Sequence, residues 1–166
     1  MLLPVHARRL PVVACALVGL LCSARPARAD ITAFLGVSPT PDNRSARGFS
    51  AGLSLLFLGF EFEYSHLAED TLEALPSLKT WSGNVLLETP MEIVGMKLYA
   101  TAGAGGYREF LRGVEEINAA VNVGGGAKIG LVGPFRVRVD YRVINLKGSP
   151  LYTTYQRFYV GANLKF

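Results

Sequence analysis

Apolar and polar side chains alternate along much of this chain with a period of two. The clearest run is Phe135 to Val143. Phe135, Val137, Val139, Tyr141 and Val143 share one face, and Arg136, Arg138, Asp140 and Arg142 share the other. The C-terminal run repeats it: Phe158, Val160, Ala162, Leu164 and Phe166 oppose Arg157, Tyr159, Gly161, Asn163 and Lys165. Phe60, Phe62 and Tyr64 oppose Glu61, Glu63 and Ser65. Residues 117–130 set Ile117, Ala119, Val121, Val123, Ala127 and Ile129 against Asn118, Asn122, Gly124, Gly126, Lys128 and Gly130. Strands send successive side chains to opposite faces, so this is the pattern of strands with one apolar face. No stretch beyond residue 29 has the 3.6-residue period of an amphipathic helix.

The pattern predicts eight strands, at about 31–38, 48–57, 60–67, 77–89, 95–107, 117–130, 134–146 and 152–166. The links at Leu58-Gly59, Pro90 to Val94 and Leu131-Val132-Gly133 are short. Those at Ser38 to Arg47, Ala68 to Pro76 and Arg108 to Glu116 are longer and polar, and Lys147 to Leu151 carries Gly148 and Pro150. Short turns at one end and longer loops at the other suit a membrane-spanning barrel, with both termini at the short-turn end. Several strands are long enough to cross a bilayer when tilted.

Soluble and membrane barrels both alternate, and the destination of the charges separates them. With eight strands the interior is just wide enough to be filled by side chains. Apolar faces turned inward would crowd Phe60, Phe62, Phe135, Tyr141, Phe158 and Phe166 into it. Polar faces turned inward bring Glu61 and Glu63 to Arg136, Arg138, Arg142 and Arg157, where opposite signs can pair as buried charges must. Gly103, Gly105, Gly124, Gly126 and Gly130 fall on that same face and leave room for long side chains. The expectation is a lumen charge network of Glu61, Glu63, Arg136, Arg138, Asp140 and Arg142, joined by Lys97, Lys128 and Glu88. It serves as a structural plug; a conduction path is the alternative.

The chain stops at Phe166 with apolar residues at each second position back to Phe158. This resembles the terminal-strand signature of bacterial outer-membrane barrels. From residue 30 on, the chain is similar in architecture to the small eight-stranded outer-membrane superfamily, the OmpA-type barrel domain and the OmpX-like proteins. The resemblance implies a closed eight-stranded antiparallel transmembrane β-barrel with short periplasmic turns and longer extracellular loops. It also implies that Phe158, Val160, Leu164 and Phe166 are an assembly signal read by the barrel-assembly machinery. The other expected partners are periplasmic chaperones and outer-membrane lipids, including lipopolysaccharide, around a monomer.

Composition sharpens this picture once the first 29 residues are set apart. They read as a secretory signal peptide. His6, Arg8 and Arg9 form a basic start, Leu10 to Cys22 is almost wholly apolar, and Ala27-Arg28-Ala29 is a small-x-small cleavage site before Asp30. A lipoprotein reading at Val12-Val13-Ala14-Cys15 fits poorly, because the apolar run continues past the cysteine. The whole chain has 166 residues, 17 Lys plus Arg, 13 Asp plus Glu and a net charge of +4. The leader holds both cysteines and four of the arginines, which leaves as many basic as acidic side chains, 13 of each, in the barrel domain 30–166. Zero net charge argues against a nucleic-acid binder. The absence of cysteine beyond the leader excludes disulfide scaffolds and Cys-ligated zinc.

Candidate chemistry is sparse. Gly103-Ala-Gly-Gly-Tyr107 and Gly124-Gly-Gly-Ala-Lys-Ile129 lack both the P-loop and the dinucleotide spacing and lie within strands, so no cofactor is expected. His66 is the only histidine after the leader, and its neighbour Ser65 points to the opposite face of a continuing strand, out of reach for a Ser/His pair. The His-x-Ser-Asn pattern of the lipid A deacylase family is missing. His66 therefore reads as a solvated loop residue, and no catalytic or metal-binding residue is expected. Trp81, Tyr64, Tyr107, Tyr152 and Tyr155 read as an outer aromatic girdle, and Tyr99 and Tyr159 as lumen filling. Arg44, Arg47, Arg108 and Arg112 lie near the outer rim, where they can meet lipopolysaccharide phosphates. The reading that results is a structural or surface-interaction barrel; the alternatives are a small-solute pore and a lipid A-modifying enzyme.

Overall fold

The computed structural model describes residues 28–69 and 75–166. The eight strands are β1 (Arg28–Thr40), β2 (Arg44–Leu55), β3 (Leu58–Leu67), β4 (Ser77–Glu88), β5 (Met96–Leu111), β6 (Val114–Gly130), β7 (Phe135–Leu146) and β8 (Thr154–Lys165). Each pairs antiparallel with the next, and β8 returns to β1, so the sheet closes. Closure leaves no edge with unpaired backbone groups, which is what allows a sheet to stand in lipid. Strands of 10 to 17 residues, rising about 3.4 Å per residue, can cross a hydrocarbon core at a tilt of about 45°.

The faces are inverted relative to a soluble barrel. Leu35, Phe60, Val123, Phe135 and Val160 stand on the outside, while Arg138, Arg142 and Arg157 inside have no exposed surface. In the middle of the barrel the alternation turns the charged residues of β3, β7 and β8 toward the lumen.

The differences from the sequence reading lie in the connections. Residues 108–116 are not a loop. β5 runs to Leu111 and β6 starts at Val114, joined by Arg112 and Gly113 alone, both at positive φ (48° and 90°). Two central residues of that hand make the tight hairpin whose twist matches the strands. The first link shrinks likewise to residues 41–43, because β1 and β2 continue pairing as far as Ser38 and Arg44. The β2–β3 turn is at Leu56-Phe57 rather than Leu58-Gly59, with Leu56 taking the positive φ (58°) that a glycine would adopt more easily. That shift is two residues, so the facing of every side chain is kept. The third link at the end away from the termini is therefore a tight hairpin, not a loop. β1 begins at Arg28, paired with Ser54, two residues before the expected leader cleavage point. The remainder of the leader, and residues 70–74 of the β3–β4 link, lie outside the described residues.

Candidate functional site

The lumen is built in three layers. At the terminal end, Lys128 Nζ reaches Asp30 Oδ2 at 2.5 Å and Glu88 Oε1 at 3.0 Å, and Lys97 pairs with Glu88. Arg136 lies at the mouth, 3.0 Å from Glu92. These residues come from β1, β4, β5, β6 and β7, so the pairs tie the wall together across its width.

The middle layer holds most of the charge. Arg138 donates to both carboxylate oxygens of Glu61, to Ser50 Oγ at 3.1 Å and to Tyr99 Oη at 2.7 Å. Tyr99 donates in turn to Asp140 Oδ2 at 2.6 Å. Arg142 donates to Glu61 at 2.8 Å and to Asp140 at 3.0 Å, and its other amino group lies 3.3 Å from Glu63. Arg157 donates to Glu63 at 2.5 Å and stacks over Phe34 and Tyr159. Arg138 stands over Tyr99 and Tyr159. In these two layers five buried acids (Asp30, Glu61, Glu63, Glu88, Asp140) face six buried bases (Lys97, Lys128, Arg136, Arg138, Arg142, Arg157), and the sixth, Arg136, takes its partner Glu92 from the rim. Each charge taken out of water costs several kcal/mol, and this matching with added hydrogen bonds is what makes such a layer tolerable.

The third layer is apolar. Ala46, Leu67, Leu78, Tyr107, Ala120, Ile144, Leu146 and Tyr155 pack together inside the barrel near the hairpin end. Tyr107 donates to the Lys147 carbonyl at 2.6 Å, which pulls the β7–β8 link over this layer. A void beside Glu63, Arg142 and Ile144 measures about 10 Å³, at the lower limit for a single water.

Solved structures share this architecture. The N-terminal β-barrel domain of Pseudomonas aeruginosa OprF matches with a TM-score of 0.66 at 14% identity, over 87% of this chain and 100% of that one. The chain has the fold of the small eight-stranded outer-membrane β-barrels. Neisserial surface protein A matches at TM-score 0.60 and 14% identity, over 84% of this chain and 94% of that one. Ail, the attachment invasion locus protein of Yersinia pestis, matches at TM-score 0.53 and 14% identity, over 84% and 98%. No protein-family model and no curated protein matches the sequence.

Within this outer-membrane barrel fold, several residues stand elsewhere than the sequence reading put them. Tyr107 and Tyr155 are not girdle residues: both are fully buried in the apolar lumen layer. Tyr107 is two and four residues from Gly105 and Gly103, and Tyr155 two from Arg157, so strict alternation already put both inside. Trp81 and Tyr64 do face outward, whereas Tyr152 lies in the β7–β8 link with its ring edge-on to the buried Tyr155. Arg44 points inward, donating to the Pro76 carbonyl at 2.5 Å and the Ala68 carbonyl at 3.2 Å, so it is not at the lipid surface. Phe34, an apolar residue in the inward phase of β1, is buried against Tyr159 with ring centroids 4.0 Å apart. His66 lies on β3, half-buried on the outer face, and not in a loop. Ser65 is buried in the lumen and bonds Thr80 Oγ1 at 2.8 Å, so serine and histidine stand on opposite sides of the wall. Phe158, Val160 and Phe166 are exposed on the outer face, and Leu164 partly so.

Some inward glycines fit particular side chains. A Cβ on Gly126 would overlap the Tyr99 hydroxyl, and one on Gly124 would press on Arg142 Cγ. Gly103 clears Asn84. The room thus goes to a tyrosine and an asparagine as much as to an arginine.

Proposed function

We propose that this protein is an integral outer-membrane barrel with a sealed lumen, whose role is structural or surface-interacting rather than enzymatic. The observation that carries this reading is the stacking of an apolar layer on a charge-matched one. In this reading the two layers together close the lumen to a continuous polar path. The apolar outer face supports the membrane location, and the separation of Ser65 from His66 supports the absence of hydrolytic chemistry. In this reading Phe158, Val160, Leu164 and Phe166 present the last strand to the assembly machinery after the leader is removed.

Reconstitution in planar bilayers tests the sealed lumen. No conductance steps are expected from the wild type; discrete steps that change in Arg138→Ala or Glu61→Ala establish the pore instead. Lipid A mass spectra from cells with and without the protein test the enzymatic alternative. Identical spectra are expected, and a new or missing lipid A species overturns the non-enzymatic role. Membrane location is read from cell fractions: the protein should sit in the outer-membrane fraction and shift in gel mobility when heated in SDS.

A further inference from the structure

A row of three cations and one imidazole crosses the outside of the barrel toward the hairpin end. Arg47 is paired with His66, His66 with Lys79 and Lys79 with Arg108, on β2, β3, β4 and β5. All four point away from the lumen, since the buried residues are their strand neighbours Ala46, Ser65, Leu78 and Tyr107. Adjacent strands lie about 4.8 Å apart, so the row spans only about 14 Å. Arg108 has a carboxylate partner, Glu115, at 2.5 Å. Arg47, His66 and Lys79 have none among the described residues. Like charges gathered on one face of a sheet destabilise it, so Arg47 and Lys79, on either side of the His66 imidazole, call for an anion between them.

The surface beside the row says what kind of anion. The next outward row holds Phe49, Tyr64 and Trp81, with the Phe49 and Tyr64 rings 5.7 Å apart. From Arg47, His66 and Lys79 a groove of about 1020 Å³ runs down the outer wall past Leu35, Ala33, Val160, Ala162 and Val137. The outward residues at its centre, Ala33 and its strand partner Ala162, are small, so little side chain stands on its floor. Cations at one end and a smooth apolar trough below match an amphiphile with a phosphorylated head and acyl chains.

We propose that Arg47, His66 and Lys79, with the trough beneath them, bind a phosphorylated glycolipid of the outer leaflet, of the lipid A class. The phosphate accepts hydrogen bonds from the cationic side chains, which are stronger than neutral ones. An acyl chain lies over Ala33, Leu35 and Ala162, and the aromatic row stands at the boundary between the two. This site rests on the outer-membrane reading above.

Trp81 is the sole tryptophan of the chain and borders the site, so its fluorescence reports occupancy. The purified barrel in dodecyl maltoside micelles is titrated with bisphosphorylated lipid A and with the same lipid stripped of phosphate. A saturable change is expected with the phosphorylated form alone. Arg47→Ala should weaken it roughly tenfold, the expected loss of one charge-assisted bond. Arg47→Ala with Lys79→Ala should weaken it further, and Lys147→Ala should leave it unchanged. A heat-dependent gel shift of each variant shows that it is folded. Equal response to the dephosphorylated lipid, or wild-type affinity in the folded double variant, overturns the site. Phosphate-dependent binding by a protein found in the periplasmic extract would retain the site and remove the outer-membrane reading.

Discussion

Arg138 and Glu61 hold each other through two roughly parallel N–H···O bonds across the barrel interior, although 77 residues separate them in the chain. Glu61 also accepts from Arg142, so one carboxylate anchors two buried guanidinium groups. Removing one member strands a charge in a place that water cannot easily reach. Arg138→Ala is expected to destabilise the barrel by about 3–5 kcal/mol. The double change Glu61→Ala with Arg138→Ala should cost less than the sum of the single changes, because the two neighbours are coupled. Urea titration of refolded protein, read as the fraction at folded gel mobility, checks both.

Gly126 and Gly83 sit in strands of the same barrel and should answer differently to an added methyl. At Gly126 a Cβ would overlap the Tyr99 hydroxyl and the Val139 carbonyl; at Gly83, on the outer face, it meets nothing within 4 Å. Gly126→Ala is expected to cost about 1–3 kcal/mol, the usual penalty for overpacking. Gly83→Ala should be neutral, or stabilise by up to about 1 kcal/mol through the unfolded chain. The same urea titration separates them.

Tyr107 offers a graded test of the apolar layer. Its ring is buried there and its hydroxyl bonds Lys147 O and Glu116 Oε1. Tyr107→Phe should cost about 1 kcal/mol for the lost hydrogen bonds. Tyr107→Ala should cost about 3–5 kcal/mol for the cavity. A tyrosine at the lipid boundary would show no such gap, so the spread in urea midpoints between the two variants distinguishes the positions.

Two turns carry opposite expectations. Leu56 is held at a φ of 58°, which costs an L-residue with a β-carbon roughly 1–2 kcal/mol. Leu56→Asn should recover part of this and raise the urea midpoint. Gly113, at a φ of 90°, has the reverse problem, and Gly113→Ala should lower it by a similar amount.

The facing of the side chains was legible in the sequence because a period of two leaves each strand only one choice once one face must be buried. Phe135 outside and Arg138 inside follow from that rule alone. The turns were less legible because their geometry did not come from obvious turn residues. Leu56-Phe57 carries no glycine, and Arg112-Gly113 is a lone glycine between Leu111 and Val114, which read as loop because Glu109, Glu115 and Glu116 surround them. Tyr107 and Tyr155 were misplaced by residue type: a tyrosine near a strand end suggests a membrane boundary, yet their alternation phase already put them inside. The cation row was hidden for another reason. Arg47, His66, Lys79 and Arg108 are 61 positions apart from first to last, and only the register of four strands brings them side by side.

The pairing of β1 with β8 bears on how the molecule comes into being. Asn163 donates to Thr32 Oγ1 across 131 residues, and Lys128 meets Asp30 across 98. Contacts of such long span are slow to form, because the chain between them must be ordered before they contribute. Any N-terminal fragment lacks the partner of its own first strand, and in hydrocarbon that strand would face lipid with unsatisfied backbone groups. Until β8 has met β1, an open barrel in the bilayer therefore needs something else to cover its two free edges.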